Sequence, residues 1–572
     1  MKRAVLCKWV LASLVAVLPA CAPAAAGRTT PTSALTGGVG AYTPPDIRRE
    51  AVSAHVRFLA HDLLEGRGTG ERGHAIAAAY VASQLQAMGA APMGDNGTYF
   101  QDVPMLGARV TSPSFSVAKS NGLSRPLTFE QDFWISPDYV RGDFQMDGPL
   151  VFVGYGISAP EYRYDDLHAV DVRGKIAIVM YGAPLGQRAD FFPDLPSAVL
   201  GDLRQKIVRL QELGALGVIA VHPPRTEKVV PWPEFIKARQ TELLTLRLDA
   251  PDAKPGEPHR VMSGVERPRL AMPGKVFDEL LAAAGRSERI EGLEAAAESG
   301  KPITFDLGLS AHIAVRSTVR TLSSPNVVAR ITKDPSSPLA EESVLISAHL
   351  DHLGIGAPVG GDTIYNGAAD DAGGCAATLE IARAFAQGPA KPRRSILVAF
   401  FTAEERGLLG SEYFARRPPV PIERIAAMVQ TDSDYPISPL RNLEVLGMEH
   451  SSLAVNVHDA EQALGIKAWQ DSQPAQTYFT RSDQYPLVKR GVPALFPMVG
   501  FAGQTAQEAA TRRAWQKSRY HKPADEWEPQ RDYQPLADFA KFQYAVALSV
   551  ADHPERPRWN KGDFFETHKF LP

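Results

Sequence analysis

Ser343-Val-Leu-Ile-Ser-Ala348 runs straight into His349-Leu-Asp351-His352, and Ser395-Ile-Leu-Val-Ala-Phe-Phe401 runs into Thr402-Ala-Glu404-Glu405. Each is a short continuous apolar run bounded by polar residues, the pattern of a central strand covered on both faces. Ile425 to Val429 and Val492 to Met498 repeat it. Between the first two runs, Cys375, Leu379, Ala382 and Ala386 fall on one stripe of a helix expected over 372–387, with Gly388-Pro389 as its stop. Strand, loop, helix, strand predicts an α/β fold whose mostly parallel central sheet is flanked by helices. In such sheets ligands gather beyond the carboxyl ends of the strands.

Outside this stretch the grammar changes. Val52, His55, Val56, Leu59 and Leu63, then Ala75 to Met88, recur at helical steps, so two helices open a segment set at 46–129. Residues 130–315 carry β-type runs at Pro149–Gly156, Gly174–Met180 and Gly217–Val221, with a helix expected from Lys206 to Leu213. They predict a separate β-rich α/β domain inserted in the chain, after which 316–555 completes the main domain and 556–572 is a tail. The chain has 572 residues, so each part is long enough to bury its own core. With 61 Lys+Arg against 64 Asp+Glu, the net charge of −3 gives no basic field for a phosphate backbone, and no nucleic-acid partner is expected.

The amino terminus reads as an address. Lys2, Arg3 and Lys8 precede an apolar run from Trp9 to Leu18 that is too short to span a bilayer, so residues 1–20 are read as a signal peptide. Leu18-Pro19-Ala20-Cys21 resembles the bacterial lipobox, which implies lipidation of Cys21, a flexible tether over 21–45, and a periplasmic or outer-membrane-anchored lipoprotein. The lipid would be its sole membrane contact. Of the three cysteines this leaves Cys375 alone, a small buried residue without a disulfide partner.

The strand ends carry the chemistry. Residues two apart in extended chain share a face, so His349 and Asp351 point the same way, and a metal-bound imidazole commonly gives its other N–H to a carboxylate; His352 points elsewhere. In Asn366-Gly-Ala-Ala-Asp370-Asp371, Asp371 is expected to cap the following helix and Asp370 to bind. Glu404 and Glu405 would repel each other at a buried strand end unless a cation compensates, and they project differently, so one can ligate while the other acts as general base. Asp432 follows the strand over 425–429, with Asp434 its competitor one pleat on. Tyr520-His521 adds a late imidazole. His349 with Asp432, and Glu405 with His521, bridged by Asp370, make two mixed N/O sites suited to zinc.

In this order the residues resemble the co-catalytic dizinc aminopeptidases, metallopeptidase family twenty-eight, which also includes glutamate carboxypeptidase-type enzymes and the transferrin receptor. The resemblance implies two zinc ions per chain: His349, Asp370 and Asp432 on the first, Asp370, Glu405 and His521 on the second. It implies Glu404 as the base, Asp351 as the orienter of His349, Tyr520 as an oxyanion donor, and a protease-associated domain as the insert. Asp371, Gly373, Gln430 and Gln484 stand where relatives often have Asn, Ser, Asn and His, which bears on substrate preference. The expected activity is release of N-terminal amino acids from peptide substrates by water activated between the metals. A catalytically silent receptor on the same fold, or a glutaminyl cyclase, are the alternatives.

Overall fold

The computed structural model describes residues 42, 44–119, 122–185, 191–249, 259–262, 264–432 and 439–570. The signal segment, Cys21, most of the tether and Asp434 lie outside them. One long sheet organises the chain. Its central strands stand in the order Lys467–Trp469, Asn442–Leu446, Ala494–Met498, Ile425–Gln430, Ser343–His349, Ser395–Phe401, Thr304–Ile331, Asp143–Val153, Ile176–Met180, Gly217–His222, Leu270–Pro273 and Trp134–Ile135.

The half of the sheet that holds these strands has the expected architecture. The Ser343–His349 strand is parallel to both neighbours, and Ile425–Gln430 is parallel to Ala494–Met498, so four carboxyl ends share one edge. Every residue of Ser343–His349 and Ser395–Phe401 is buried, which is why these strands show no polar alternation. Helices Arg49–Leu59, Arg72–Ala87, Gly374–Gln387 and Gln534–Asp552 share one core with the sheet. Gly374–Gln387 is buried nearly all round, and its one acid, Glu380, is paired with Arg383 and faces His55. The helix begins two residues later than the pattern predicts, because residues 368–373 form a wide turn around Asp370 and Asp371.

The second half is a parallel set of four strands, Asp143–Val153, Ile176–Met180, Gly217–His222 and Leu270–Pro273, with a core of its own. It is joined to the first through one 28-residue strand, Thr304–Ile331. Leu307, Leu309, Ala311, Ile313 and Val315 alternate into the second core, and Val327, Ala329 and Ile331 into the first. Phe100–Lys119 lies antiparallel along it, from Phe100 opposite Val327 to Lys119 opposite Leu309, with a register shift between Arg316 and Ser317. The domain boundary expected at 315/316 thus falls inside a continuous strand, one residue before that shift. Among the described residues no helix is long and apolar enough to cross a membrane.

Candidate metal centre

The carboxyl edge of the parallel strands gathers the residues that the sequence singled out. His349 closes its strand, Glu404 and Glu405 follow Phe401 by three and four residues, and Asp432 follows Gln430 by two. Asp370 comes from the turn before Gly374–Gln387, and His521 from the loop after the Ala506–Ser518 helix. Ala403 and His521 both have left-handed backbones, φ +56° and +54°, an uncommon conformation for residues with a Cβ that recurs at functional sites.

Asp370 stands between two clusters. Its Oδ1 is 3.1 Å from His349 Nε2, which is 3.7 Å from Asp432 Oδ1. Its Oδ2 is 2.9 Å from His521 Nε2, which is 3.3 Å from Glu405 Oε1. Asp370 Oδ2 and Glu405 Oε1 are buried without a hydrogen bond among the described residues, although nitrogens stand close. Buried acceptors left this way are the mark of a place for a cation. His349, Asp370 and Asp432 offer ligand atoms within 4.8 Å of one another, and so do His352, Asp370 and Glu405. Imidazole and carboxylate donors in threes fit zinc and leave coordination positions open.

Two expectations need correction. His352 does not point away: its Nδ1 is 2.8 Å from Glu405 Oε1, and its ring faces His521 with centroids 5.7 Å apart. The strand ends at His349, so the two-residue alternation no longer governs residue 352, whose amide donates to the Arg67 carbonyl (3.2 Å). For the same reason the Asp351 carboxylate is 3.8 Å from His349 Nδ1, while the Asp351 main-chain oxygen is 3.0 Å from it. Asp351 orients His349 through its backbone. Its carboxylate instead accepts from the Glu404 amide (3.0 Å) and the Thr69 hydroxyl (2.9 Å).

The electrostatics divide the carboxylates. Burial pushes Glu404 well above the ordinary range, helped by Asp432, Glu405 and Asp483 against the pull of His349. Burial works the same way on Glu405, yet His521 and the imidazole contacts hold it below that range. His521, despite burial, is raised to about 10 by Glu405 and Asp370. Asp371 is buried; its carboxylate accepts from the Gly374 amide (3.0 Å) at the helix start and from the His349 amide (3.2 Å), so the extra acid braces a ligand strand. Gln430 takes the Ser347 hydroxyl on its oxygen and reaches Ser482, whose hydroxyl donates to Asp432. Tyr520 stacks on His521 at 3.9 Å between ring centroids, while Gln484 turns to the Phe479 carbonyl and Trp515 packs in the core.

One positioning residue was not singled out as such. Asp525 accepts the amides of Ala369 (3.0 Å) and Asp370 (3.2 Å) and fixes the turn that carries the Asp370 carboxylate. Its signal was an acid four residues after a candidate ligand.

Residues 326–546 match the family model described as peptidase family M28. All five expected ligands and Glu404 lie within that span. A vacuolar membrane protease of Verticillium alfalfae is 35% identical over 80 residues, 14% of this chain and 7% of that protein. A probable zinc metalloprotease of Pyrenophora tritici-repentis is 42% identical over 66 residues, 12% of this chain and 15% of that protein. The chain thus matches only a small part of the length of these curated relatives. Among solved structures, an aminopeptidase from Aneurinibacillus sp. strain AM-1 is similar at a TM-score of 0.48 and 19% identity, covering 89% of this chain and 95% of that one.

Proposed function

Residues 326–546 carry a peptidase family M28 domain, and from that premise we propose that the protein is a two-zinc aminopeptidase. The observation that supports this reading is Asp370 offering one carboxylate oxygen to each of two ligand clusters, beside a carboxyl group at Glu404 that neither cluster uses. His349, Asp370 and Asp432 would hold the first ion; Asp370, Glu405 and His521, with His352 adjacent, the second. Bound zinc supplies Lewis acidity and brings the pKa of water toward neutrality.

The chain's own groups do the rest. Glu404, its backbone fixed by Asp351 and its basicity raised by burial, takes a proton from the attacking water and passes it to the leaving amine. Tyr520, stacked on His521, would donate to the developing oxyanion. The surplus of buried carboxylates attracts a free α-ammonium group, which favours cleavage at the amino end of a peptide. Export and lipidation at Cys21 complete the proposal.

Glu404→Gln tests it. The variant is expected to retain its zinc by metal analysis and to lose roughly 10²- to 10⁴-fold in kcat on amino-acyl p-nitroanilides. Turnover near that of the parent removes Glu404 as base, and equal cleavage of N-acetylated peptides removes the aminopeptidase assignment.

A further inference from the structure

We propose that the segment Gly66–His74, far in sequence from every ligand, positions the metal centre: Arg67 sets the spacing of two ligand loops, and Thr69 sets the general base. The inference rests on the two-zinc reading above.

Arg67 is completely buried, and its backbone (φ +50°) and that of Gly66 (φ +68°) are both left-handed. Its guanidinium spends its donors on main-chain oxygens. Nε donates to Leu350 (2.9 Å), Nη1 to Leu59 and Asn366 (both 2.6 Å), and Nη2 to Gly367 (2.9 Å). Leu350 lies between His349 and Asp351, and Asn366 and Gly367 immediately precede the turn that carries Asp370. A planar fork with donors at fixed angles holds these carbonyls at one separation, which an ammonium group cannot do. The segment's backbone packs closely on its neighbours: a Cβ on Gly66 would come within 2.4 Å of the Tyr365 carbonyl oxygen, and one on Gly73 within 1.6 Å of that of Leu64.

Two residues on, the Thr69 hydroxyl donates to Asp351 Oδ2 (2.9 Å), and Asp351 Oδ1 accepts the Glu404 amide (3.0 Å). One carboxylate therefore transmits the place of Thr69 to the base. A third link comes from buried His74, whose Nδ1 is 3.1 Å from Ser324 Oγ, itself 2.7 Å from Thr402 Oγ1 at the root of the Glu404 loop. The segment thus reaches the three loops that carry Asp351, Asp370 and Glu404. Mere structural filling would require none of these convergences.

Arg67→Lys keeps the charge and loses the fork; Thr69→Val keeps the shape and loses the hydroxyl; Thr69→Ser restores it. Zinc affinity of the metal-free chains is read by competition with a chromogenic chelator, and kcat and KM are read separately on amino-acyl p-nitroanilides. Folded Arg67→Lys is expected to bind zinc roughly 10- to 100-fold more weakly. Thr69→Val is expected to bind it as the parent does, with kcat down about tenfold at unchanged KM, and Thr69→Ser to recover most of the loss. Parental zinc affinity in Arg67→Lys, or parental kcat in Thr69→Val, overturns the inference. Should Arg67→Lys fail to fold, the Thr69 pair decides alone. A parent chain that neither binds zinc nor cleaves peptides overturns the function and this role together; a competent parent matched by its variants overturns only this role.

Discussion

His222 closes the Gly217–His222 strand with a ring surrounded by Tyr181, Trp232 and Phe235, and neither ring nitrogen has a hydrogen-bond partner among the described residues. Glu227, at 3.9 Å, is too far to serve. Burial, aided by the Arg239 charge, lowers its pKa to about 3, so the folded chain keeps it neutral while the unfolded chain protonates it below about 6.5. The stability this group permits is whole above pH 6.5 and is lost as pH falls toward 3. His222→Phe is therefore expected to gain about 2 kcal/mol on its parent between pH 8 and pH 5, seen in urea midpoints; a gap that does not widen with acid refutes it. At this scale the sequence reveals the candidate ligands His349, Glu405 and Asp432, because each closes or closely follows a buried apolar run that ends at one edge of the sheet. Arg67, Thr69 and His352 stay hidden. The first two arrive from a segment some 280 residues upstream, and the third lies past the strand end, where alternation stops applying.

Among the elements, the Ala506–Ser518 helix leads directly to Tyr520 and His521 and opens with a reciprocal cap. The Glu508 amide donates to the Thr505 hydroxyl (3.2 Å), and the Thr505 amide to the Glu508 carboxylate (2.8 Å). Thr505→Ala is expected to cost about 1 kcal/mol, read as faster amide exchange over residues 506–509. Activity should barely change. The loop that carries His521 is tied separately, by Arg519 to the Ala524 carbonyl (3.2 Å) and to Glu528 (2.7 Å). A large loss of kcat would show that the cap reaches His521. The buried strands and the long helices were legible because apolar runs and three-to-four spacing are local signals. Phe100–Lys119 was not: Pro104 and Pro113 sit inside it, and prolines argue against a strand unless its partner is known. Its register is set by Thr304–Ile331, some two hundred residues on.

For the whole molecule, a net charge of −3 conceals a local concentration. Asp351, Asp370, Asp371 and Asp483 are buried at one edge of the sheet with Glu404 partly buried beside them; burial first, and then repulsion from neighbouring carboxylates that include Glu405 and Asp432, raises Asp351, Asp371, Glu404 and Asp483. Zinc binding only to the folded chain would add about 4 kcal/mol at a free concentration a thousand times its Kd. Thermal midpoints are accordingly expected to rise with added zinc and fall with a chelator; equal midpoints would mean that the cluster binds no ion strongly. The strand that joins the two cores has a different consequence. Val110 lies opposite Ser317 on antiparallel neighbours, about 4.8 Å apart as adjacent strands are. Traced by themselves, Phe100–Lys119 and Thr304–Ile331 draw a single hairpin whose tip has been opened to admit the residues between. What lies there hangs from two leads already side by side and is laced back to them by Leu243–Leu246, which pairs with Met105–Ala108 and shares a core with Ala403 and Leu409 beside Glu404.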